Sequence, residues 1–297
     1  MRFDVVTFGS AVVDVFVETG QRGKKIEYKT GSKILVDDLR FDIGGGATNC
    51  AVAFSRLGFK TGAICNVGDD NNGDDILDCL KKEGVKFLGS RVKGASGYSV
   101  ILDSHGGGRT VLTYKGSGNF VSKVCDFDSK WLYYSSVLGL SLKTQIKLAR
   151  KMKRRGTKLA FNPSEYLIGA PGVDELLSMS DVVVLNKEEF DLAVEKYGKG
   201  FCSGVVVVTD KDREVVAYNN QENRNQKIEN RKRYFIRPHR VKVVERTGAG
   251  DAFASGFVAS QIVGMSIEDG LKLGLVEGES VLGHFGAKNN LIRRKLK

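Results

Sequence analysis

The fold class the sequence predicts is α/β: a mostly parallel central sheet with helices on both faces and a small β-stranded lid. Three observations predict it. Short, near-continuous apolar strands alternate with amphipathic helical segments almost from end to end, the pattern of a parallel sheet covered on both sides. Two polar, glycine-dotted segments, residues 15–41 and 94–120, break that rhythm. A chain of 297 residues with 41% hydrophobic content and only 3 Pro is long enough to bury a full core.

Taken in order, residues 3–12 (FDVVTFGSAV) read as the first strand. Residues 47–57 have helical apolar spacing, closed by Gly58. KTGAICNVG, from residue 60, is read as a strand, and NGDDILDCLKKEG, ending at Gly84, as a helix. WLYYSSV, KLAFNP, DVVVLN and GVVVVTD are short apolar strands, with helices expected over residues 141–155 and 187–197. HRVKVVE, residues 239–245, reads as a late strand that feeds a helix from Ala252 to about Val263. GASGYSVILDSHGGGRTVLTYKGSGNF reads as antiparallel hairpin strands around HGGGR, able to form a small sheet with residues 15–41. With no internal repeat and no proline- or serine-rich linker, one domain over residues 1–297 is expected, its lid drawn from about 15–41 and 94–120.

A net charge of +11 permits an anionic ligand, surface or nucleic acid. The basic residues are spread along the chain apart from KMKRRGTK and RKRYFIRPHR. The first reads as the solvated end of a helix and the second as the returning edge of an exposed hairpin, so no specific nucleic acid is expected. Five cysteines show no CxxC or metal-like spacing, no leader pattern opens the chain, and no window is apolar enough to span a membrane. A cytoplasmic protein without a membrane partner is expected.

Three junctions, two of them glycine-bearing, carry the chemistry. In RTGAGDAFASGF, Thr247, Gly248, Ala249, Gly250 and Asp251 stand where a loop enters a helix. Free amides and the positive end of the helix dipole bind anions there, and glycine lets the anion approach. Asp251 is either a helix cap or a general base facing a hydroxyl, with the amides of Ala249, Gly250 and Asp251 stabilising a transferring phosphoryl group. In DIGGGATNCAVAFSRLG, Gly44 to Gly46 allow close approach of a polyhydroxylated ligand, and Asn49 is either a cap or an amide that donates and accepts together. Asp14, after the first strand, stands where open α/β sheets bind ligands, or in a loop ion pair. In VVVLNKEEF, Asn186 ends a strand, and Glu188 and Glu189 either complement a helix dipole or organise hydrated Mg²⁺. GxxxxGK[ST], HRD, DFG, HExxH and a GxGxxG after the first strand are all absent, and only 3 His occur. P-loop, protein-kinase, zincin, dinucleotide and Ser-His-Asp readings therefore lack their key residues.

Taken together, GGGATN…RLG, NKEE and TGAGDAF, with VGDDNNG and VEGESVLGHFGAKNN, resemble the ribokinase-like carbohydrate kinase family, also called PfkB, over nearly the whole chain. The resemblance implies a ribokinase-like three-layer α/β/α sandwich with a lid. It also implies transfer of the γ-phosphoryl group of ATP, with Mg²⁺, to a hydroxymethyl of a small sugar. By position, Asp251 looks like the general base and Gly248, Ala249 and Gly250 the anion hole. Asp14, Gly45, Gly46 and Asn49 match sugar contacts, joined by Arg109 in the lid. Asn186, Thr209, Lys211, Thr247, Gly248 and Gly250 are expected on the nucleotide, Gly283 and Asn289 in the adenine wall, and Glu189 on Mg²⁺.

The chain departs from the family in three places. Glu245-Arg246-Thr247 replaces the usual Asp-Thr-Thr. Thr209 to Arg213 lacks a glycine, so Lys211 is expected to supply charge where backbone amides would. Residues 219–240 are longer and more polar than the usual hairpin. A nucleoside kinase is the nearest alternative, and a non-catalytic ligand-binding protein on the same scaffold is a weaker one. The edge strands of the lid could pair across a homodimer.

Overall fold

The structure, a computed structural model, describes residues 1–22, 27–105, 109–211, 213–220 and 232–296. The turn glycines of HGGGR, Asp212 and residues 221–231 of the long hairpin lie outside the described residues.

The chain opens with β1 (Arg2–Phe8) in the main sheet, then crosses to a small sheet through β2 (Val12–Arg22) and β3 (Asp38–Gly44). The expected single strand over residues 3–12 is thus two. Gly9 stands at the break, where the close approach of Ser135 leaves no room for a side chain: a β-carbon would lie 1.8 Å from Ser135 Oγ. α1 (Gly46–Arg56), β4 (Thr61–Ile64), β5 (Asn66–Gly68) and α2 (Asn71–Lys82) follow, so the segment from residue 60 is likewise two strands. After β6 (Lys86–Phe87) and β7 (Ser90–Val92), the small sheet is completed by β8 (Gly97–His105) and β9 (Arg109–Tyr114). β10 (Asp128–Ser135), α3 (Gly139–Arg154), β11 (Lys158–Asn162), α4 (Val173–Met179), β12 (Val182–Asn186), α5 (Lys187–Tyr197) and β13 (Val205–Asp210) return to the main sheet. A β14 (Glu214–Asn219) and β15 (Arg233–Ile236) hairpin and the helices α6 (Ala249–Ile262) and α7 (Ile267–Leu282) close the fold.

The main sheet has nine strands in the order β15-β14-β13-β12-β11-β10-β1-β4-β6. Its pairs from β13 to β6 are parallel, and the β13–β14 and β14–β15 pairs are antiparallel. Strand periodicity sorts the core into two layers. Val6, Phe8, Leu132, Tyr134, Leu159 and Phe161 face α3, α4 and α5. Their neighbours Val5, Trp131, Tyr133 and Ala160 pack with Phe54 of α1, Phe257 of α6 and Leu275 of α7. The result is a three-layer α/β/α sandwich.

The small sheet runs β3-β2-β8-β9. Its outer pairs are antiparallel, as the hairpin pattern suggested for β8 and β9, while the central β2–β8 pair is parallel. It meets the end of the chain at Phe285, whose ring stacks edge-on with Phe16 at 4.6 Å and lies under the Arg40 guanidinium at 5.0 Å. HRVKVVE is not a strand: Pro238 has no N–H to continue the ladder beyond β15, and the backbone of Val244 and Glu245 bonds instead to the Leu282 carbonyl. Among the described residues, no helix is long and apolar enough to cross a membrane.

Candidate active site

The parallel strands β11, β12 and β13 bring Asn162, Asn186 and Thr209 to one edge of the sheet, facing the start of α6. A cavity of about 250 Å³ opens there, walled by Asn186, Glu189, Thr209, Gly248, Gly250 and Asp251. It joins a larger cleft of about 590 Å³ through the shared residues Thr209, Arg246 and Gly250. The larger cleft runs between residues 238–243 and the α6–α7 pair, with Phe253 and Leu275 as apolar wall.

Gly248 is the N-cap of α6, in the left-handed region at φ 82°. Asp251 is therefore the third residue of the helix and not its cap. Ala249 N–H turns back to the Arg246 carbonyl, and helical bonding begins with Ala252 N–H to Gly248 O at 2.8 Å. Ahead of that bond, the amides of Gly250 and Asp251 are the first-turn donors that remain, one fewer than the sequence suggested. Nothing stands within 4 Å of where a Gly250 side chain would begin. Asn49, buried in α1, donates from Nδ2 to Asp251 Oδ2 across 2.9 Å. Its other end accepts from Lys288 Nζ at 3.2 Å, so Asn49 is not a cap, and one N–H and one lone pair of its amide remain beyond these two bonds. The remaining oxygen, Asp251 Oδ1, faces Gly46, whose missing β-carbon would lie 3.7 Å away. Burial pushes the Asp251 carboxyl up, opposed by the hydrogen bonds of Asn49 and Cys50 and by the charge of Lys288.

Asp14 lies inside β2, not at the end of β1, opposite Asp42 in the β2–β3 register. Its carboxylate fills the space beside Gly44: a β-carbon there would overlap Asp14 Oδ2. Burial raises Asp14 to about 6, moderated by a hydrogen bond to Ser99 and by Lys288. Gly45 takes φ 99° with Ser10 O 2.5 Å from any added β-carbon, and Gly46 N–H donates to Ser10 Oγ. Both glycines therefore hold a tight backbone approach at the mouth of α1.

Asn186 and Glu189 form a capping box at α5: Asn186 Oδ1 accepts from Glu189 N–H and Glu189 Oε2 from Asn186 N–H, each at 2.8 Å. Burial raises Glu189 to about 7. A cation nearby would offset that burial, so this carboxylate on the cavity wall fits hydrated Mg²⁺. Among the described residues no group of three or more His, Cys, Asp or Glu stands together as a metal cage.

Lys211 lines the larger cleft at φ 48°, the one described non-glycine residue in the left-handed region, with Nζ paired to Glu188 at 2.9 Å. Arg109 lines the smaller cavity with Asp251, and its Nη1 donates to Glu245 Oε1 at 2.9 Å and Thr247 Oγ1 at 2.6 Å. Gly283 and Asn289 line neither cavity, and Asn289 Nδ2 bonds to the Phe285 carbonyl. Sequence reasoning missed Lys288, Asn162 and the 238–243 wall, and left Arg246 open. Arg246 adjoins a glycine motif, and Lys288 lies inside the quoted segment VEGESVLGHFGAKNN, both usable signals; Asn162 and the 238–243 wall come from segments without one.

A family model, pfkB family carbohydrate kinase, matches residues 2–294. A 5-dehydro-2-deoxygluconokinase of Clostridium perfringens is 25% identical, the match covering 92% of this chain and 85% of that protein. An ATP-dependent ribose-1-phosphate kinase of Halopiger xanaduensis is 27% identical over 83% of this chain and 82% of its own length. The crystal structure of a Methanocaldococcus jannaschii nucleoside kinase superposes with a TM-score of 0.81 at 18% identity, covering 97% of this chain and 95% of that one.

Proposed function

The chain belongs to the PfkB family of carbohydrate kinases, phosphotransferases acting on hydroxyl groups, and on that footing we propose that it transfers the γ-phosphoryl group of ATP to a hydroxymethyl of a small sugar. One observation carries this reading: Asp251 stands beside the open first-turn amides of α6, on a cavity that runs into a cleft of nucleotide size.

The acceptor lies over Gly45 and Gly46, with Asp14 accepting from its hydroxyls. Asp251 Oδ1, left free by Asn49, takes the proton of the attacking hydroxyl. The bond from that oxygen to the γ-phosphorus forms as the bond from phosphorus to the β–γ bridging oxygen breaks, and ADP leaves. The amides of Gly250 and Asp251 face the charge on the transferring group, with Arg246 at the junction of the two cavities. Glu189, oriented by its capping box, would hold hydrated Mg²⁺, which supplies neutralisation of phosphate charge. The small sheet acts as a lid that excludes water. The free thiols of Cys50, Cys65 and Cys202, all buried, suit the cytosol.

The test is ADP release with ATP, Mg²⁺ and a panel of sugars and nucleosides, repeated with Asp251→Asn. Turnover on one acceptor that falls at least ~100-fold in the variant supports the reaction class and the base. Near-normal turnover by a folded Asp251→Asn removes the base assignment, and silence across the panel with tight ligand binding favours a non-catalytic protein.

A further inference from the structure

Lys288 follows α7 in the last segment of the chain and is only 4% exposed. Among the described residues it is the one lysine or arginine in the buried class. A buried ammonium is costly unless its charge is answered, so its surroundings are informative.

Its Nζ donates to Asn49 Oδ1 across 3.2 Å, and Asn49 Nδ2 donates to Asp251 Oδ2 across 2.9 Å. The chain ammonium–amide–carboxylate admits one orientation of the amide, since an ammonium only donates and a carboxylate only accepts. The backbone of Lys288 is anchored separately: Arg56 Nη1 donates to its carbonyl while Arg56 Nε and Nη2 grip Glu83. The side chain is therefore not needed to hold the segment in place.

Charged and titratable groups surround the pair on every side. Asp14 of β2 and Cys79 of α2 feel the ammonium, and Asp42 of β3 acts on both of them. Cys50 of α1 and Tyr133 of β10 adjoin Asp251. Arg109, Glu189 and Arg246 share its cavity. Two carboxylates, Asp14 and Asp251, thus feel one buried cation, and Asp42 adds a like charge beside Asp14.

We propose that Lys288 is a positioning residue for the reaction at Asp251: through Asn49 it commits Oδ2 and leaves Oδ1 for the acceptor, and it stands as the fixed counter-charge to that carboxylate. The inference rests on the kinase reading for the role of Asp251. The downward pull of Lys288 on Asp251, against the upward push of burial, agrees with the geometry.

The experiment titrates the Asp251 carboxyl by ¹³C NMR, assigned with Asp251→Asn, in the unsubstituted protein, Lys288→Met and Lys288→Arg, beside the pH profile of kcat/KM. In Lys288→Met the midpoint rises by about 1 unit, as loss of a nearby opposite charge requires. The acid limb of kcat/KM moves with it, so activity on that limb falls about tenfold, while KM for ATP stays put. Lys288→Arg keeps the charge and recovers most of the midpoint. A midpoint and limb unmoved in Lys288→Met overturn the proposal, leaving Lys288 a packing residue whose loss lowers only stability. Should Lys288→Met not fold, Lys288→Gln replaces it; should that fail too, a Lys288→Arg midpoint displaced by a full unit overturns the proposal and an unmoved one supports it. The NMR titration needs no turnover. Failure of the kinase reading therefore shows as silent turnover with the shift intact, and failure of this inference as an unmoved midpoint.

Discussion

Arg109, the first residue of β9, reaches out of the small sheet to place Nη1 2.9 Å from Glu245 Oε1, just ahead of the glycine loop of α6. The Glu245 side chain is 8% exposed and the arginine 35%, so the pair is partly shielded from water. Glu245 in turn accepts from the N–H and Oγ1 of Thr247. Position of the small sheet and shape of the loop are thereby coupled. Arg109→Ala is expected to lower kcat/KM about tenfold, and a double-mutant cycle with Glu245→Gln to show a coupling of roughly 1 kcal/mol. Strictly additive effects would mean that the contact carries no coupling.

Gly248→Ala tests the loop itself. Gly248 has φ 82°, and a β-carbon would lie 2.4 Å from Ala287 Cβ and 2.7 Å from its Cα, with backbone rather than a yielding side chain behind it. Left-handed strain and collision add, so a loss of about 2 kcal/mol or more is expected, with the amides of Gly250 and Asp251 displaced. Thermal unfolding and kcat measured together check this; an unchanged Tm and kcat would show that the loop yields freely.

These loops were legible in the sequence because glycine, aspartate and asparagine at a strand-to-helix junction have few physical uses. What failed was the path of the backbone between junctions. HRVKVVE has the apolar spacing of a strand, yet Pro238 ends the ladder, so the segment becomes a wall of the larger cleft. Asp14 was singled out at the end of one long strand, whereas the chain leaves the main sheet after Phe8 and carries Asp14 into the small one. Lys288 falls inside the quoted segment VEGESVLGHFGAKNN, yet its role stayed hidden because its partner Asn49 lies 239 positions away. Lys211 is the converse case: the turn was marked for lacking glycine, and the backbone takes the left-handed conformation all the same.

Asp14 offers a pH test on the acceptor side. Raised to about 6 by burial, its carboxyl is a charged acceptor for the proposed sugar hydroxyls only above that pH. KM for the acceptor is therefore expected to climb as pH falls through about 6. In Asp14→Asn, KM should be higher by about tenfold, the scale of one hydrogen bond to a charged group, and flat across that range. A variant whose KM keeps the pH dependence would place the titration on another group.

Glu277 carries the last prediction, on stability rather than catalysis. It lies in α7 with no exposed surface; among the described residues its Oε1 has no hydrogen-bond partner, and Oε2 accepts from the Ile292 N–H at 3.4 Å. Burial lifts the carboxyl from 4.5 to about 7, with Arg56 pulling weakly the other way. A carboxyl raised in the folded state favours folding while protonated: its contribution is fully present below pH 4.5 and is lost as pH climbs through about 7. At pH 8 the ionised group costs on the order of 3 kcal/mol relative to a neutral one. Glu277→Gln keeps the shape and an acceptor for Ile292 but removes the charge. It should raise Tm at pH 8 and leave it nearly unchanged at pH 4. Equal Tm for the two proteins at pH 8 would mean that solvent or Arg56 already answers the buried charge, and that α7 opens more readily than its packing suggests.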